Sequence, residues 1–150
     1  LGSYSNMLNI SNNKFYWPLP KNKIISSYFG QGSLPLLGAS SYHTGIDIPS
    51  KEGTDIFSNV IGKVAFTGFL GVNGYSIIIK NNNFEIIYAH VSPNFQVQKD
   101  DIIIKEQLIG FVGPKYIDSN NKTTNGATTG PHLHITIKKD GIAVNPLDYF

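Results

Sequence analysis

A chain of 150 residues that is 41% hydrophobic and 15% charged is long enough for one domain with a buried core and does not have the composition of a disordered segment. The net charge is only +2 and every basic residue is a lysine; without the arginine fork that grips phosphates and base edges, no nucleic-acid partner is expected. Cysteine is absent, which excludes disulfides, thiolate metal sites and cysteine nucleophiles, and no apolar run is long enough to span a bilayer. The chain opens at Leu1 without a charged-then-apolar leader, so it reads as a processed or excised piece whose export signal lies outside it.

Residues 1–22 are rich in Asn, Ser and Lys and lack a period. They read as an arm ending at Trp17-Pro18-Leu19-Pro20, extended against a body of residues 23–150. Beyond it, glycine and proline punctuate short β-branched runs. Strands are predicted over 45–48, 62–68, 75–80, 84–89, 102–104, 108–112, 132–137 and 142–144. The triplets Ile77-Ile78-Ile79 and Ile102-Ile103-Ile104 are the clearest, because branched side chains favour the pleat. Asn81-Asn82-Asn83 and Lys139-Asp140-Gly141 read as hairpin loops. A single helical turn is expected after Asn145-Pro146. The glycines between Gly68 and Gly74 are read as turn glycines; a phosphate loop would end in Lys-Ser/Thr and lead into a helix. The expected fold is mainly antiparallel β with little helix, a sandwich or partly open barrel. Two long loops, 30–42 and 114–130, are either functional or tolerated surface insertions. Tyr28, Phe29, Tyr42 and Tyr116 are candidates to line a peptide groove.

The four histidines carry the chemistry. In His132-Leu133-His134-Ile135-Thr136-Ile137, residues two apart share a strand face. The two imidazoles therefore stand side by side, about 7 Å apart at the backbone, while Leu133, Ile135 and Ile137 face the core. His43 and Asp47, four apart, also share a face. A straight strand would hold them roughly 13 Å apart, so Gly45 is expected to bend or bulge the chain. His90 follows the 84–89 strand and overlooks a cleft from its end. Imidazole and carboxylate together form a donor set suited to zinc.

With these residues in place the chain resembles the lysostaphin/LytM-type zinc metallopeptidases. The matching segments are His43-Thr44-Gly45-Ile46-Asp47-Ile48-Pro49, Tyr88-Ala89-His90-Val91-Ser92 and Thr129-Gly130-Pro131-His132-Leu133-His134. Weaker matches lie at Trp17-Pro18, Ser27-Tyr28-Phe29-Gly30, Gly62-Lys63-Val64, Gly74-Tyr75 and Asn145-Pro146-Leu147-Asp148-Tyr149, so the resemblance spans roughly residues 15–150. It implies an antiparallel sheet groove of the duplicated hybrid motif type, with one zinc ion at its floor. It implies His43, Asp47 and His134 as metal ligands and His90 and His132 as catalytic histidines. The implied substrate is the peptide part of peptidoglycan, either a stem-peptide crosslink or an interpeptide bridge, and the implied place of action is the periplasm or the extracellular cell wall. The chain departs from the pattern at Gln31, where relatives often carry Arg, at Lys80-Asn81-Asn82-Asn83, and at Asp100 and Glu106, where glycines are expected. The loop before Thr128 is also longer than usual.

Three protein ligands leave a zinc position open to water, whose pKa the metal can lower to about 7. No Glu sits beside the ligands to act as base, so histidine takes that part: His132 as general base, His90 as helper or oxyanion stabiliser. Two other readings stay in view. One is a non-catalytic relative that binds peptidoglycan or activates another hydrolase. The other is a β-rich phosphocarrier using paired histidines, which has no need of Asp47 at that spacing.

Overall fold

The computed structural model describes residues 14–30 and 42–150. Nine strands follow one another: β1 (Ile46–Pro49), β2 (Asp55–Phe57), β3 (Gly62–Phe69), β4 (Tyr75–Asn81), β5 (Phe84–Ala89), β6 (Ile102–Ile103), β7 (Leu108–Phe111), β8 (His132–Lys139) and β9 (Ile142–Val144). The helical content of the described residues is two single 3-10 turns, Gly71–Asn73 and Pro146–Asp148. The second begins where Asn145-Pro146 predicts, with the Asn145 side chain accepting from the Leu147 N–H. No helix among the described residues is long and apolar enough to cross a membrane.

Seven strands form one antiparallel sheet in the order β1-β8-β5-β4-β3-β6, with β9 beside the far half of β8. The sheet does not close into a barrel. β2 and β7 form a second, two-stranded sheet. The two sheets share one core: Ile56 of β2 and Ile109 of β7 are fully buried together with Ile77 and Ile79 of β4, Ile86 and Tyr88 of β5, and Leu133, Ile135 and Ile137 of β8. These positions follow the period of two that a half-buried strand imposes. The strand at 55–57 was not predicted. With three residues, it is too short to show alternation. Predicted loop 30–42 and Gln31 fall largely or wholly outside the described residues.

Hairpins connect neighbouring strands. Asp140 and Gly141 both have positive φ, 53° and 81°, as a two-residue turn between Lys139 and Ile142 needs when its twist matches the strands. Asp100 (φ 77°) and Glu106 (φ 71°) are also left-handed. Both stand where the family resemblance leads one to expect glycine, so the backbone keeps a glycine-like conformation under a different side chain.

The N-terminal segment from Lys14 is woven into the body. The Phe15 N–H donates to the Tyr149 carbonyl (2.8 Å), the Tyr16 N–H to Asn59 (2.9 Å), and the Phe57 N–H to Pro18 (3.0 Å). Phe15 is buried among the rings of Phe84, Tyr149 and Phe150, with centroids 5.3–6.4 Å away, and Trp17 meets Phe150 edge-on at 4.9 Å. This aromatic cluster ties the start of the described chain to its end. Truncating a buried Phe costs about 3–5 kcal/mol through lost transfer energy and the cavity left behind. Phe15→Ala is therefore expected to lower unfolding free energy by at least about 3 kcal/mol, and Phe15→Leu by clearly less, as read from urea unfolding.

Candidate functional site

The pairing of β1 with β8 builds the site. Its register sets Asp47 directly opposite His134 and Pro49 opposite His132. On the other side of β8, Ala89 of β5 pairs with His134, which places His90, the next residue, beside the same spot. Ile46 and Ile48 alternate with Asp47 and are buried, so the carboxylate lies on the opposite face from the core. The segment before β1 bends at Thr44-Gly45, and the β1–β8 register runs without a shift. The chain thus shortens the His43–Asp47 separation by a bend before the strand, and no bulge is needed. Gly45 is required for room, since a Cβ there would collide with the Ile135 carbonyl oxygen across the pair.

Three potential ligand atoms converge. His134 Nδ1 lies 2.8 Å from Asp47 Oδ1 and 3.2 Å from His43 Nε2, and His43 Nε2 lies 3.5 Å from Asp47 Oδ1. Ligands about 2.0–2.1 Å from a tetrahedral ion sit about 3.3 Å from one another, so the triangle has the size that a zinc ion would impose. The donor set fits as well: two imidazole nitrogens and a carboxylate oxygen can all point lone pairs at one cation, whereas a shared proton serves only one pair of them.

Each of the four imidazoles has one nitrogen engaged away from this point. His43 Nδ1 faces the Tyr28 carbonyl and the Ser27 hydroxyl, both at 3.1 Å. His134 Nε2 meets the Thr136 hydroxyl at 2.9 Å. His90 Nδ1 meets the Asn125 carbonyl at 2.7 Å, and His132 Nδ1 meets the Gly130 carbonyl at 2.8 Å. A carbonyl oxygen only accepts, so the nitrogen facing it carries the proton. In the neutral imidazole this puts the proton of His43, His90 and His132 on Nδ1 and leaves Nε2 as the acceptor. His132 Nε2 is 3.5 Å from Asp47 Oδ1, and the rings of His90 and His132 are 4.9 Å apart.

Burial raises the Asp47 pKa, but the hydrogen bond and charge of His134, followed by the charges of His132 and His43, outweigh it and hold the carboxyl below its ordinary range. Burial pushes His90 below the usual imidazole range, against the pull of the Asn125 carbonyl, which leaves the ring neutral at neutral pH.

All five residues singled out in the sequence, His43, Asp47, His90, His132 and His134, line one open groove of about 410 Å³. Tyr42 lines it too; Tyr28, Phe29 and Tyr116 do not, and Phe29 instead packs on Tyr42 at 5.5 Å. The 114–130 loop forms one wall through Ala127, Thr128 and Thr129. Four residues were not read as supports of the site in the sequence: Ser27, Asn73, Asn125 and Thr136. Thr136 was legible, since it continues the polar face of His132 and His134 at a period of two; nothing local marks the other three.

The model of peptidase family M23 matches residues 41–146. The chain is 36% identical over 124 residues to the DD-carboxypeptidase/endopeptidase Mpg of Neisseria meningitidis serogroup B; this covers 82% of the chain but 26% of that relative. Among solved structures, a zinc-containing peptidase from Vibrio cholerae superposes with a TM-score of 0.74 at 25% identity, over 90% of this chain and 40% of that one. The catalytic domain of lysostaphin from Staphylococcus simulans superposes with a TM-score of 0.70 at 25% identity, over 87% of this chain and 93% of that one.

Gly45→Ala is expected to force β1 away from β8, costing about 1–3 kcal/mol through overpacking. Amide hydrogen exchange checks this: protection should fall at Ile46 and Ile48 before it falls in β4 and β5.

Proposed function

We propose that this chain, which belongs to peptidase family M23, is a zinc-dependent peptidase that hydrolyses peptide bonds in bacterial peptidoglycan, either stem-peptide crosslinks or interpeptide bridges, and acts outside the cytoplasmic membrane. The observation that carries this reading is the convergence of His43 Nε2, Asp47 Oδ1 and His134 Nδ1 within 4.8 Å of one another, beside two histidines that are not part of that triangle. The names of the relatives support the substrate class; the donor geometry supports the metal.

In this reading His43, Asp47 and His134 hold the ion. When bound, zinc supplies Lewis-acid polarisation of a peptide carbonyl and a water acidic enough to ionise near neutral pH. His132 is the general base: its Nε2 lies 3.5 Å from Asp47 Oδ1, and its Nδ1 is held by the Gly130 carbonyl behind it. His90, whose ring lies 4.9 Å from that of His132, shares the proton with His132 or steadies the developing oxyanion once protonated. The ionised Asp47 carboxylate contributes a negative charge that offsets part of the ion's and steadies the imidazolium on His132. The groove is open to solvent, and its walls mix Thr44, Asn73, Thr128 and Thr129 with Tyr42, Val72 and Ala127.

Purified peptidoglycan digested with the zinc-loaded protein should release peptide fragments identifiable by mass, and a chelator should stop the release. His132→Ala and His90→Ala should each lower turnover by about 100-fold or more with zinc content unchanged, whereas His43→Ala, Asp47→Ala and His134→Ala should lose the metal. Intact zinc binding without any fragment would replace this reading with a non-catalytic peptidoglycan-binding or hydrolase-activating role. Thr136→Val keeps the shape of the side chain but removes the acceptor for the His134 Nε2–H. It should weaken zinc affinity by about 10- to 100-fold, measured by competition with a chromogenic chelator.

A further inference from the structure

We propose that Asn125 is the positioning residue for His90, fixing both the backbone that carries this histidine and the nitrogen it presents to the groove. The inference rests on the reading of His90 as a proton-transfer group.

His90 leaves the end of β5 with a left-handed backbone, φ 59°. A non-glycine residue in that conformation is strained by roughly 1–3 kcal/mol and persists only where its surroundings hold it. The surroundings here are bonded closely. The His90 N–H donates to the Asn73 carbonyl (2.8 Å), and the His90 carbonyl accepts from the Gly113 N–H (3.0 Å). Asn125, fully buried, then joins the pieces. Its Oδ1 accepts from the Tyr75 N–H (2.8 Å) and its Nδ2 donates to the Val91 carbonyl (3.0 Å). Its own N–H donates to Lys115 (2.8 Å). One side chain thus bridges the start of β4 to the residue directly after His90, and the same residue's carbonyl takes the His90 Nδ1–H at 2.7 Å.

The neighbouring sequence makes room for this. A Cβ at Gly74 would strike the Asn125 carbonyl and Oδ1, and one at Gly113 would strike Nδ2. Both glycines are close-approach positions for Asn125. The residue does not line the groove, so it has no route to substrate except through His90. Removing its side chain frees the loop at the point where its carbonyl selects the His90 tautomer. With that acceptor displaced, the proton can move to Nε2, and the lone pair on the nitrogen opposite the Asn125 carbonyl is lost. The three ligand residues have no hydrogen bond to Asn125, so the metal triangle is not part of the effect.

Three measurements test this on the zinc-loaded protein. Asn125→Ala should lower kcat by about 10- to 100-fold, as expected for an imidazole displaced by up to about 1 Å, with KM and zinc affinity unchanged. Long-range nitrogen–proton NMR correlation should place the His90 proton on Nδ1 in the wild type and show a mixture of tautomers in the variant. A purely structural role predicts a lower unfolding temperature but an unchanged kcat per folded, zinc-loaded molecule, and that result overturns the proposal. So does a wild-type His90 protonated on Nε2, a measurement that needs no variant and stands if Asn125→Ala does not fold. His90→Ala is the control: wild-type turnover in it would remove His90 from the reaction, while the tautomer spectra would still decide whether Asn125 positions the ring.

Discussion

The site depends on the antiparallel register of β1 against β8. Ile46 and Ile48 on one strand, with Leu133 and Ile135 on the other, are completely buried, and each fully buried aliphatic side chain contributes about 1.5–3 kcal/mol. Because side chains alternate, a one-residue slip of β1 would turn Ile46 and Ile48 outward and drive Asp47 into the core. The apolar face therefore fixes the polar one. Hydrophobic packing on one side of the sheet thus brings a carboxylate on β1 next to an imidazole on β8 on the other side. The same logic extends across β8, where Tyr88 pairs with Ile135 and Ala89 with His134, so the strand end that launches His90 is registered by the same core.

Two kinds of support hold the imidazoles, and they divide by element. His43 and His134 are braced from the sheet and its edge: the Tyr28 carbonyl and Ser27 hydroxyl, on a segment that pairs with Asp47, and the Thr136 hydroxyl on β8 itself. His90 and His132 are braced by carbonyls of a single loop, those of Asn125 and Gly130. Ligand groups need fixed separations, which strands provide. Proton carriers need a fixed tautomer, and a backbone carbonyl sets one because it can only accept. Under the proposed function, a long loop carrying two such carbonyls has a clear physical use.

What the sequence made legible follows from what is periodic in it. Branched triplets and alternation located eight of the nine strands, and the two-residue spacing of His132 and His134 put both on the polar face. Spacing also posed the right problem at His43 and Asp47, four residues apart. Its solution, a bend before the strand with Gly45 against the Ile135 carbonyl, depends on a neighbour 90 positions later. Asn125 was invisible for the same reason: its partners, Tyr75, His90, Val91 and Lys115, are brought to it by the fold, and no local pattern distinguishes a structural asparagine from a loop asparagine. Short β2 was missed because three residues carry no period.

Left-handed residues show where the chain accepts strain and for what. Asp100 and Glu106 adopt that conformation in turns tied back to the body, the Asp100 N–H donating to the Val64 carbonyl and the Glu106 N–H to Ser58. Neither lines the groove, so glycine would serve equally well there and relieve the strain. His90 is different. Glycine would suit its backbone as well, but under the proposed function the imidazole takes part in the reaction, so the strain cannot be removed by changing the residue. It must be held instead, which accounts for the density of hydrogen bonds around this one position: Asn73 and Gly113 on the main chain, Asn125 on the ring and on the adjoining Val91. Close bonding around this strained position, which lines the groove, is what the proposed role of His90 requires, and it sets His90 apart from Asp100 and Glu106.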